Sequence, residues 1–347
     1  MSDKIRIGII GAGGIFRSRH FPGLAKIEDA EVAAVCNRSE ESGKKIAGEF
    51  GLRPDIMTDP HALIAREDID AVMIGTWPYK HHPFVLASLD AGKHTFVQAR
   101  MAMNLREAKA MYAKAQETGL VTQICPSPMG MKGDWFVQRL VREGYLGEIY
   151  NVYSRSFNGD NCNPDKPLHW RQMDRYSGLN ALNMGILVET IHRWVGYMKT
   201  ISAQTETFIK KRPLSGEEGK GPVERPDTVS VLGRMENGAT AGLLFSSVAR
   251  FGTDSQVELY GSEGTLIYNL DSDTILGGKA GDKGLSELPI PEDEAREWTV
   301  EQDFVSAVQG GPQGDTSFEA GVKYMEFTEA VSRSVERGAT VTLPLVD

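Results

Sequence analysis

A run of glycines near the start of the chain is the first group of residues that could do chemistry. Residues 5–10 read as a short buried strand, residues 11–16 (Gly-Ala-Gly-Gly-Ile-Phe) follow directly, and a helix is predicted over 17–24. In this context Gly11 permits a tight turn and Gly13 lets a pyrophosphate approach the backbone at the helix N-terminus. The sequence predicts a dinucleotide site with contacts from Gly11, Gly13, Gly14, Ile15 and Phe16. Phe16 replaces the third glycine of the pattern, a position that governs helix–strand packing, so binding is still expected.

The residues that follow the second predicted strand bear on the choice between NAD and NADP. An acidic residue there would hold the ribose hydroxyls of NAD and repel a 2′-phosphate. The chain has Asn37, Arg38 and Ser39 instead, and Lys44 and Lys45 follow. The missing acid and the added cations favour NADP. NAD stays open, because Asn37 can hydrogen-bond a ribose and Arg38 can stack on adenine.

Composition excludes several classes of function. The chain has 347 residues, which suggests two domains, and 38 basic against 47 acidic residues give a net charge of −9. We therefore expect no nucleic-acid partner. Membrane insertion is not expected either, because no apolar run approaches the roughly 20 residues that a spanning helix needs. Cys36, Cys125 and Cys162 have no metal-ligand spacing, and the first strand begins at once, so we expect a cytoplasmic protein without a metal site or signal peptide.

These residues must be positioned by a regular alternation of elements in the first part of the chain. The predicted strands are 5–10, 32–36, 71–75, 94–98 and 121–125, and the predicted helices are 17–24, 40–50, 81–91 and 105–118. Such alternation favours a parallel sheet with helices on both faces. The first domain is predicted to span residues 1–125.

The pattern changes after residue 125 to longer strands that alternate polar with apolar residues. The predicted helices are 135–143, 177–198 and 301–337, and the predicted strands include 149–157, 228–235, 240–247 and 256–260. This pattern is typical of a half-exposed, mostly antiparallel sheet in an α+β domain, assigned to residues 126–300. Residues 210–226 are predicted to be a solvated hairpin loop rather than a lid. Residues 301–347 are expected to pack back on the first domain.

Several short sequence motifs are distributed over nearly the whole chain, and their order is more specific than any single motif. They are Gly11–Ile15 with His20 and Pro22, residues 70–74 (Asp-Ala-Val-Met-Ile), Thr76 with His81, residues 91–94 (Ala-Gly-Lys-His), residues 146–149 (Leu-Gly-Glu-Ile), residues 169–171 (His-Trp-Arg), and residues 257–264 (Val-Glu-Leu-Tyr-Gly-Ser-Glu-Gly). In this order they resemble the glucose–fructose oxidoreductase, inositol dehydrogenase and MocA (Gfo/Idh/MocA) family.

The resemblance implies a fold, a cofactor and a class of substrate. It implies an α/β protein with an N-terminal Rossmann domain and a C-terminal α+β domain, whose open sheet commonly serves as an interface in a homo-oligomer, a dimer or tetramer. It also implies NAD or NADP and a sugar, polyol or sugar-acid-like substrate. By the same resemblance, four more residues belong to the cofactor site: Thr76, Trp77, His81 and Gln98.

The chain departs from the family where the family keeps its catalytic groups. The family usually has Glu-Lys-Pro where this chain has Gln98, Ala99 and Arg100, and Ala99 cannot position or polarise a reacting hydroxyl as the lysine does. The family's later Asp and His correspond to Asn183 and Leu187. Hydride transfer from an alcohol needs an acceptor for the hydroxyl proton. Asn183 can hydrogen-bond but cannot take a proton near neutral pH, and Leu187 can do neither.

Residues that could replace the family's catalytic groups lie on the predicted helix 177–198 and in the segment before it. On a helix, Asn180 would share the broad face of Asn183, and Tyr176 would join it if the helix began early. His192 would lie on the far side, as a structural or exposed histidine rather than a base. Segment 158–176 is dense in polar residues, which suits substrate contacts as well as a solvated surface loop. The predicted catalytic residues are His169, Lys166, Asn183 and Tyr176, and the predicted substrate contacts are Arg100, Trp170, Arg171 and Asn180.

Three functions are compatible with these observations. The first is an NAD(P)-dependent oxidoreductase with a non-standard proton relay. The second is a redox-neutral glycoside hydrolase or lyase that keeps its cofactor bound, and the third is a cofactor-binding sensor without catalysis. The triple replacement at positions 99, 183 and 187 suits the sensor, whereas the dense polar segment suits an enzyme.

Overall fold

The computed structural model describes residues 4–125, 131–216, 218–253 and 255–346. In these ranges the α-helices are α1 (Phe21–Leu24), α2 (Glu40–Glu49), α3 (Pro60–Ile64), α4 (His81–Asp90), α5 (Leu105–Thr118), α6 (Asp134–Arg142), α7 (Asp174–Ser177), α8 (Met184–Val195), α9 (Val300–Val308) and α10 (Phe318–Arg337). The strands are β1 (Ile5–Ile10), β2 (Ala30–Cys36), β3 (Asp55–Met57), β4 (Ala71–Ile74), β5 (His94–Val97), β6 (Thr122–Ile124), β7 (Ile149–Phe157), β8 (Met198–Glu206), β9 (Lys211–Pro213), β10 (Lys220–Pro222), β11 (Thr228–Met235), β12 (Thr240–Ser246), β13 (Gln256–Gly261), β14 (Gly264–Asn269), β15 (Thr274–Lys279), β16 (Ser286–Glu287) and β17 (Val341–Thr342).

The chain forms two compact units. Among the described residues, the first unit contains 4–125 and 298–322, and the second contains 131–297 and 323–346. The predicted boundary after residue 125 adjoins residues 126–130, which lie outside the described ranges. The segment 301–347, predicted as one piece, is divided between the two units.

The first unit is built on a parallel sheet with the strand order β3-β2-β1-β4-β5-β6. Every residue of β4 is buried, as expected for a strand covered on both faces. The strand order reverses between β1 and β4, the place where such sheets bind ligands at their carboxyl edge. The predicted Rossmann architecture is confirmed.

Helix α5 in the first unit has a side-chain cap at its start and a glycine at its end. The side chain of Asn104 accepts the N–H of Glu107 and caps the start of α5, and Gly119 ends this helix in the left-handed conformation (φ +64°). The core joins strand residues such as Met73 and Phe96 to Phe304 of α9, all fully buried. The burial of Phe304 fixes α9 to the parallel sheet.

The second unit is built on a nine-stranded sheet with the order β16-β15-β14-β13-β7-β12-β11-β8-β17. Its described strands pair antiparallel except β7 and β12, which are parallel. Side chains alternate across the sheet: Val152 is buried, whereas Tyr153 and Leu232 on the other face are 41% and 65% exposed. The predicted open, mostly antiparallel sheet is confirmed.

Two helix predictions are wrong in extent. The helix predicted over 177–198 begins only at Met184, because Gly178 (φ +60°) and Leu182 (φ +48°) interrupt the chain before it. The helix predicted over 301–337 is broken into α9 and α10. The first interruption matters for the site, because it removes Asn180 and Tyr176 from the helix that Asn183 begins.

Candidate functional site

The glycine turn lies at the point where the strand order of the first unit reverses. Gly11 is left-handed (φ +82°), its N–H donates to the carbonyl of Cys36 (2.9 Å), and a Cβ there would lie 2.7 Å from Thr76 Cγ2. Gly13 and Gly14 are exposed. A Cβ on Gly13 would meet no atom closer than 3.9 Å, and one on Gly14 none within 4 Å. Backbone N–H groups at the start of a helix bind anions, and the open space here leaves such groups accessible.

Phe16 stands in the third-glycine position, and its bulk is accommodated by a glycine elsewhere. Its fully buried ring packs over Gly75, where a Cβ would lie 2.8 Å from the ring Cδ2. Phe16–His20 forms one turn of π-helix, and the N–H of Phe21 donates to the carbonyl of Phe16. Neither Phe16 nor the half-buried Ile15 offers a polar side chain, so their contribution to a cofactor site is limited to backbone and apolar contacts.

Thr76, which follows β4, carries a polar atom suited to a bound dinucleotide. Its Oγ1 is buried without a hydrogen-bond partner among the described residues, and its carbonyl oxygen faces His81 Nε2 at 2.9 Å. The Nδ1 of His81 faces the carbonyls of Arg100 (2.9 Å) and Met101 (3.1 Å), and burial lowers the pKa of His81. His81 therefore ties the loop after β5 to the end of β4 and is itself enclosed. The half-buried Trp77 follows Thr76.

The three residues predicted to set the cofactor preference have different environments. Asn37 Nδ2 donates to the carbonyl of Ala12 in the glycine turn (3.2 Å). Ser39 caps α2 and accepts the N–H of Ser42 at 3.3 Å. Arg38 is exposed, so its guanidinium is accessible to a phosphate or an adenine ring. Asn37 and Ser39 thus shape the backbone, and Arg38 is the accessible cation of the three.

A buried polar cluster lies where β5 ends. Gln98 Nε2 hydrogen-bonds to His20 Nε2, and His20 Nδ1 hydrogen-bonds to the Glu301 carboxylate, which also accepts the Trp298 Nε1–H at 2.8 Å. Gln98, His20 and Glu301 are 7%, 0% and 1% exposed. Because an amide nitrogen only donates, His20 Nε2 accepts and Nδ1 carries the proton to Glu301. The Gln98 nitrogen is therefore engaged by the protein itself.

Much of the polarity of segment 158–176 in the second unit serves its own backbone. Asn158 Oδ1 accepts the N–H two residues further on (3.1 Å), and Asn163 does the same (2.9 Å), which are Asx turns. Asn161 Nδ2 donates to Ser247 Oγ (2.9 Å). These asparagines form turns, and the charged and aromatic side chains of the segment remain candidates for ligand contact.

His169 and Lys166, the predicted proton carriers, are both exposed and each has a local hydrogen bond. His169 Nδ1 accepts the N–H of Arg171 (3.3 Å) and caps the short 3₁₀ helix Trp170–Gln172. Loss of solvation, together with the nearby Arg171 and Lys166 cations, lowers the pKa of His169. The ring is then neutral near neutral pH with its proton on Nε2, so it can donate a hydrogen bond to a ligand oxygen. Lys166 Nζ donates to the carbonyl of Asp160 (2.9 Å).

The residues predicted to share a helix face are separated by the late start of α8. Asn183 is the N-cap residue of α8, and its Nδ2 donates to Ser156 Oγ (2.8 Å). Asn180 is buried, and its Nδ2 donates to the carbonyl of Ser177 (2.7 Å). Tyr176 is half-buried in α7. Asn180 therefore supports the turn before α8, and the shared-face prediction is wrong for Asn180. The early helix start that Tyr176 would have needed does not occur, since α8 begins at Met184.

The remaining predicted substrate contacts fall in both units. In the second, the Arg171 guanidinium carbon lies 4.4 Å from the centroid of the half-buried Trp170 ring, a cation–π pair. Arg100 is half-buried in the first unit, and its carbonyl contacts His81. The Trp170–Arg171 pair presents an aromatic face and a cation side by side.

Comparison with known protein families identifies the family of this chain. Residues 5–125 match the model of the oxidoreductase family with an NAD-binding Rossmann fold, and residues 136–267 match the Gfo/Idh/MocA C-terminal domain. The chain belongs to the Gfo/Idh/MocA oxidoreductase family. The resemblance inferred from sequence is thereby confirmed, as is the assignment to NAD-binding oxidoreductases.

Individual Gfo/Idh/MocA proteins are similar over nearly the full length of the chain. A levoglucosan dehydrogenase of Pseudarthrobacter phenanthrenivorans is 24% identical, covering 99% of each chain. A myo-inositol 2-dehydrogenase of Thermotoga maritima is 26% identical, covering 98% of each. The solved structure of levoglucosan dehydrogenase in complex with NADH and L-sorbose superimposes with a TM-score of 0.89 at 22% identity, covering 98% of this chain and 99% of the other.

Sequence reasoning missed two residues of this Gfo/Idh/MocA protein that shape the first unit. Gly75 is the last residue of the predicted strand 71–75, and its contact with Phe16 could have been suspected from the bulk at the third-glycine position. Glu301 had no short-range signal, because it lies 281 residues from His20 along the chain. Long-range pairing of this kind is visible only in the folded structure.

The part of the chain that the structure describes has neither a membrane-spanning helix nor a cluster of metal-binding side chains. None of its helices is long and apolar enough to cross a membrane. Across those same ranges, no group of three or more His, Cys, Asp or Glu side chains could hold a metal ion.

Proposed function

We propose that this protein transfers hydride between NAD(P) and a hydroxyl or carbonyl carbon of a sugar, polyol or sugar acid. The observation that carries the proposal is the open space at Gly13 and Gly14 together with the buried hydroxyl of Thr76, which has no hydrogen-bond partner within the described ranges. Membership of an oxidoreductase family and similarity to levoglucosan and myo-inositol dehydrogenases support the reaction and the substrate class.

In this proposal the glycine turn holds the pyrophosphate and Thr76 Oγ1 supplies a further hydrogen bond to the dinucleotide. The bound nicotinamide supplies the hydride acceptor or donor. Arg38 is the accessible cation after β2, and no acidic residue stands at 37–39 to repel a 2′-phosphate. We therefore propose a preference for NADP, which the ratio of kcat/KM for the two cofactors measures. Arg38→Ala should lower that ratio, while Arg53→Ala, a change at another exposed arginine of the first unit, should leave it unchanged.

The second unit would supply the substrate contacts. His169 Nε2–H would donate to a substrate oxygen while Nδ1 caps its helix, and the Trp170–Arg171 pair would contact the sugar ring or its acidic group. With the cap closed, His169 is a hydrogen-bond donor rather than a base. For alcohol oxidation, proton acceptance through His169 would require the Nδ1 cap to open, because a neutral imidazole has one acceptor nitrogen.

We also propose that the open face of the nine-stranded sheet pairs two copies of the chain. Tyr153, Leu232 and Leu244 on this face are 41%, 65% and 40% exposed. Exposed apolar side chains grouped on one face are typical of a protein–protein interface. Sedimentation of Leu232→Lys against the parent tests this, and an unchanged oligomer would contradict it.

The free thiols Cys36, Cys125 and Cys162 support a reducing, cytoplasmic setting.

The decisive experiment combines cofactor and product measurements on the purified protein. Net NAD(P)H formation with sugars, polyols or uronic acids is the expected result. Release of an aglycone from a glycoside without net cofactor change would instead indicate the redox-neutral hydrolase or lyase. Dinucleotide binding without turnover on any of these compounds would indicate the sensor.

His169→Ala is the matching site variant. It should lower kcat/KM much more than it weakens cofactor binding, since the proposed contact is with the substrate. His61→Ala, which alters an exposed histidine of the first unit, is the control. Equal turnover of His169→Ala and the parent would remove His169 from the site.

A further inference from the structure

Arg212 on β9 is a charged residue buried almost completely, at 1% exposure. Its guanidinium reaches the backbone of segment 158–172 at three places. Nη2 donates to the carbonyl of Asn161 (2.6 Å), and Nη1 donates to the carbonyls of Asn163 (2.7 Å) and Lys166 (3.4 Å). One side chain thus gathers three carbonyls from six consecutive residues of an irregular loop.

The burial of this cation needs a physical reason, since desolvating a charge is costly. Burial lowers the pKa of Arg212, and the buried carboxylate of Asp227 opposes that effect. Arg212 Nε has no hydrogen-bond partner among the described residues. The hydrogen bonds to the loop carbonyls are therefore the main direct compensation that the charge receives. The donors of a guanidinium lie on separate nitrogens in a fixed plane, so Arg212 can reach carbonyls that lie apart, whereas the three donors of a lysine ammonium all start from one nitrogen.

The hairpin that carries Arg212 also holds the loop through its backbone. The N–H of Leu168 donates to the carbonyl of Pro213 (2.8 Å), and Leu168 packs against Gly221 of β10, where a Cβ would lie 2.9 Å from its Cδ2. Further along, the N–H of Glu224 donates to the carbonyl of Gln172 (2.9 Å). Residues 210–226 were expected to form a solvated hairpin loop. The hairpin is present, but its inner side fixes the segment that carries Lys166 and His169.

We propose that Arg212 is a positioning residue: it sets the backbone path of segment 158–172 and so presents His169 and Lys166 to the substrate. The first part of this inference stands on the contacts alone. The second part rests on the proposed function, in which this segment binds the substrate. Two readouts therefore separate them, one of loop order and one of catalysis.

The test compares three variants of the full-length protein. Arg212→Met removes the charge and keeps much of the bulk, and Arg212→Lys keeps the charge but loses the fork. Arg234→Met is the matched control, because the exposed Arg234 donates one bond to the carbonyl of Gly238 in the same unit (3.3 Å). Arg212→Lys keeps the test usable if Arg212→Met does not fold.

The first readout is hydrogen–deuterium exchange without ligands. Both Arg212 variants should exchange faster by at least about tenfold in peptides covering 159–172, while peptides from β11 and β12 stay as in the parent, since loss of a local anchor opens a local unit. Faster exchange spread over the whole second unit, or no change in 159–172, would overturn the positioning role.

The second readout is steady-state kinetics with the substrate that the dehydrogenase assay identifies. Arg212→Lys should raise KM for that substrate by about tenfold and leave the dissociation constant of the dinucleotide within about twofold, because a misplaced loop weakens substrate contacts. Local exchange with unchanged KM would leave Arg212 as the anchor of the loop and contradict the substrate role of the segment. Arg234→Met should match the parent in both readouts.

Discussion

The ring of Phe16 covers Gly75, so that a side chain at position 75 would have its Cβ 2.8 Å from the ring Cδ2. The dinucleotide-binding pattern usually avoids this crowding by placing a glycine where this chain has phenylalanine. In this chain the residue without a side chain is Gly75, which directly follows strand β4. The glycine at position 75 makes room for the close helix–strand approach that the pattern requires.

Gly75→Ala should destabilise the protein by about 1–3 kcal/mol, the usual cost of overpacking a core. Urea unfolding measures the change, and Phe16→Leu/Gly75→Ala should lose less stability than the sum of the single variants, because the two positions share one contact. Gly48→Ala is the control. A Cβ there would meet no atom within 4 Å, and alanine is favoured in the helix α2. Equal stability of Gly75→Ala and the parent would contradict the packing argument.

Gly13→Ala should separate cofactor binding from stability. A Cβ at Gly13 would meet no protein atom closer than 3.9 Å, so unfolding in urea should be unchanged or occur slightly later. The same Cβ would occupy the space that a pyrophosphate needs, so the dissociation constants of NADH and NADPH should rise by at least about tenfold, or about 1.4 kcal/mol. Fluorescence titration of the reduced cofactors measures this.

The comparison variant is Gly11→Ala. Its left-handed φ and the 2.7 Å approach to Thr76 Cγ2 predict a loss of folding stability as well as binding. If Gly13→Ala bound both dinucleotides as tightly as the parent, the glycine turn would not be the pyrophosphate site.

The sequence predicted the parts of the fold that depend on local pattern. Continuous apolar strands such as β4, and the glycine that ends α5, have signals within a few residues, so the parallel sheet and its helix boundaries followed from them. β3 and α3 have only three and five residues and were not predicted, since elements this short give too little periodicity.

The site was less predictable, because its residues depend on backbone breaks and long-range pairs. A helical pattern placed Asn180 and Asn183 on one face, but the left-handed Leu182 between them ends that regularity. Arg212 looked like one charge in a solvated hairpin, and only its contacts with a loop about fifty residues earlier show why it is buried. Such contacts follow from tertiary packing and leave no pattern in the local sequence.

From the cluster at the end of β5 we predict that the fold is most stable with one carboxylate beside His20, and less stable with two or none. Gln98→Glu would place a second carboxylate against a buried histidine that Glu301 already contacts, and Glu301→Gln would remove the first. Each single variant should lose about 2–5 kcal/mol of unfolding free energy, because it leaves a buried charge unbalanced or a hydrogen bond unmade.

The double variant Gln98→Glu/Glu301→Gln should recover part of that loss, since it returns one carboxylate and one amide to the two sides of His20. Glu49→Gln is the control for replacing an acid by an amide, because the Glu49–Arg17 ion pair is at the surface and should contribute at most about 1 kcal/mol. Strictly additive losses in the urea midpoints of the double variant would contradict the shared-histidine arrangement.

His192 predicts a specific pH dependence of stability. Both ring nitrogens are buried without hydrogen-bond partners among the described residues, and the ring packs edge-on against Tyr197. Burial, with a contribution from the Lys323 cation, lowers the pKa of His192 to about 3. The unfolded chain therefore takes up a proton near pH 6.5 that the folded chain excludes, so this histidine's contribution is complete above pH 6.5 and is lost as the pH falls towards 3.

His192→Phe removes that titration and keeps an aromatic ring against Tyr197. At pH 7.5 its unfolding free energy should equal or slightly exceed that of the parent, because two unpaired nitrogens are replaced by carbon. At pH 5 the variant should gain about 2 kcal/mol relative to the parent, which corresponds to about 1.4 kcal/mol per pH unit below 6.5. Urea unfolding at the two pH values measures the difference, in which the other histidines cancel. A difference that is the same at pH 5 and pH 7.5 would mean that His192 has the same pKa in the folded and unfolded chain, which would contradict the effect of burial.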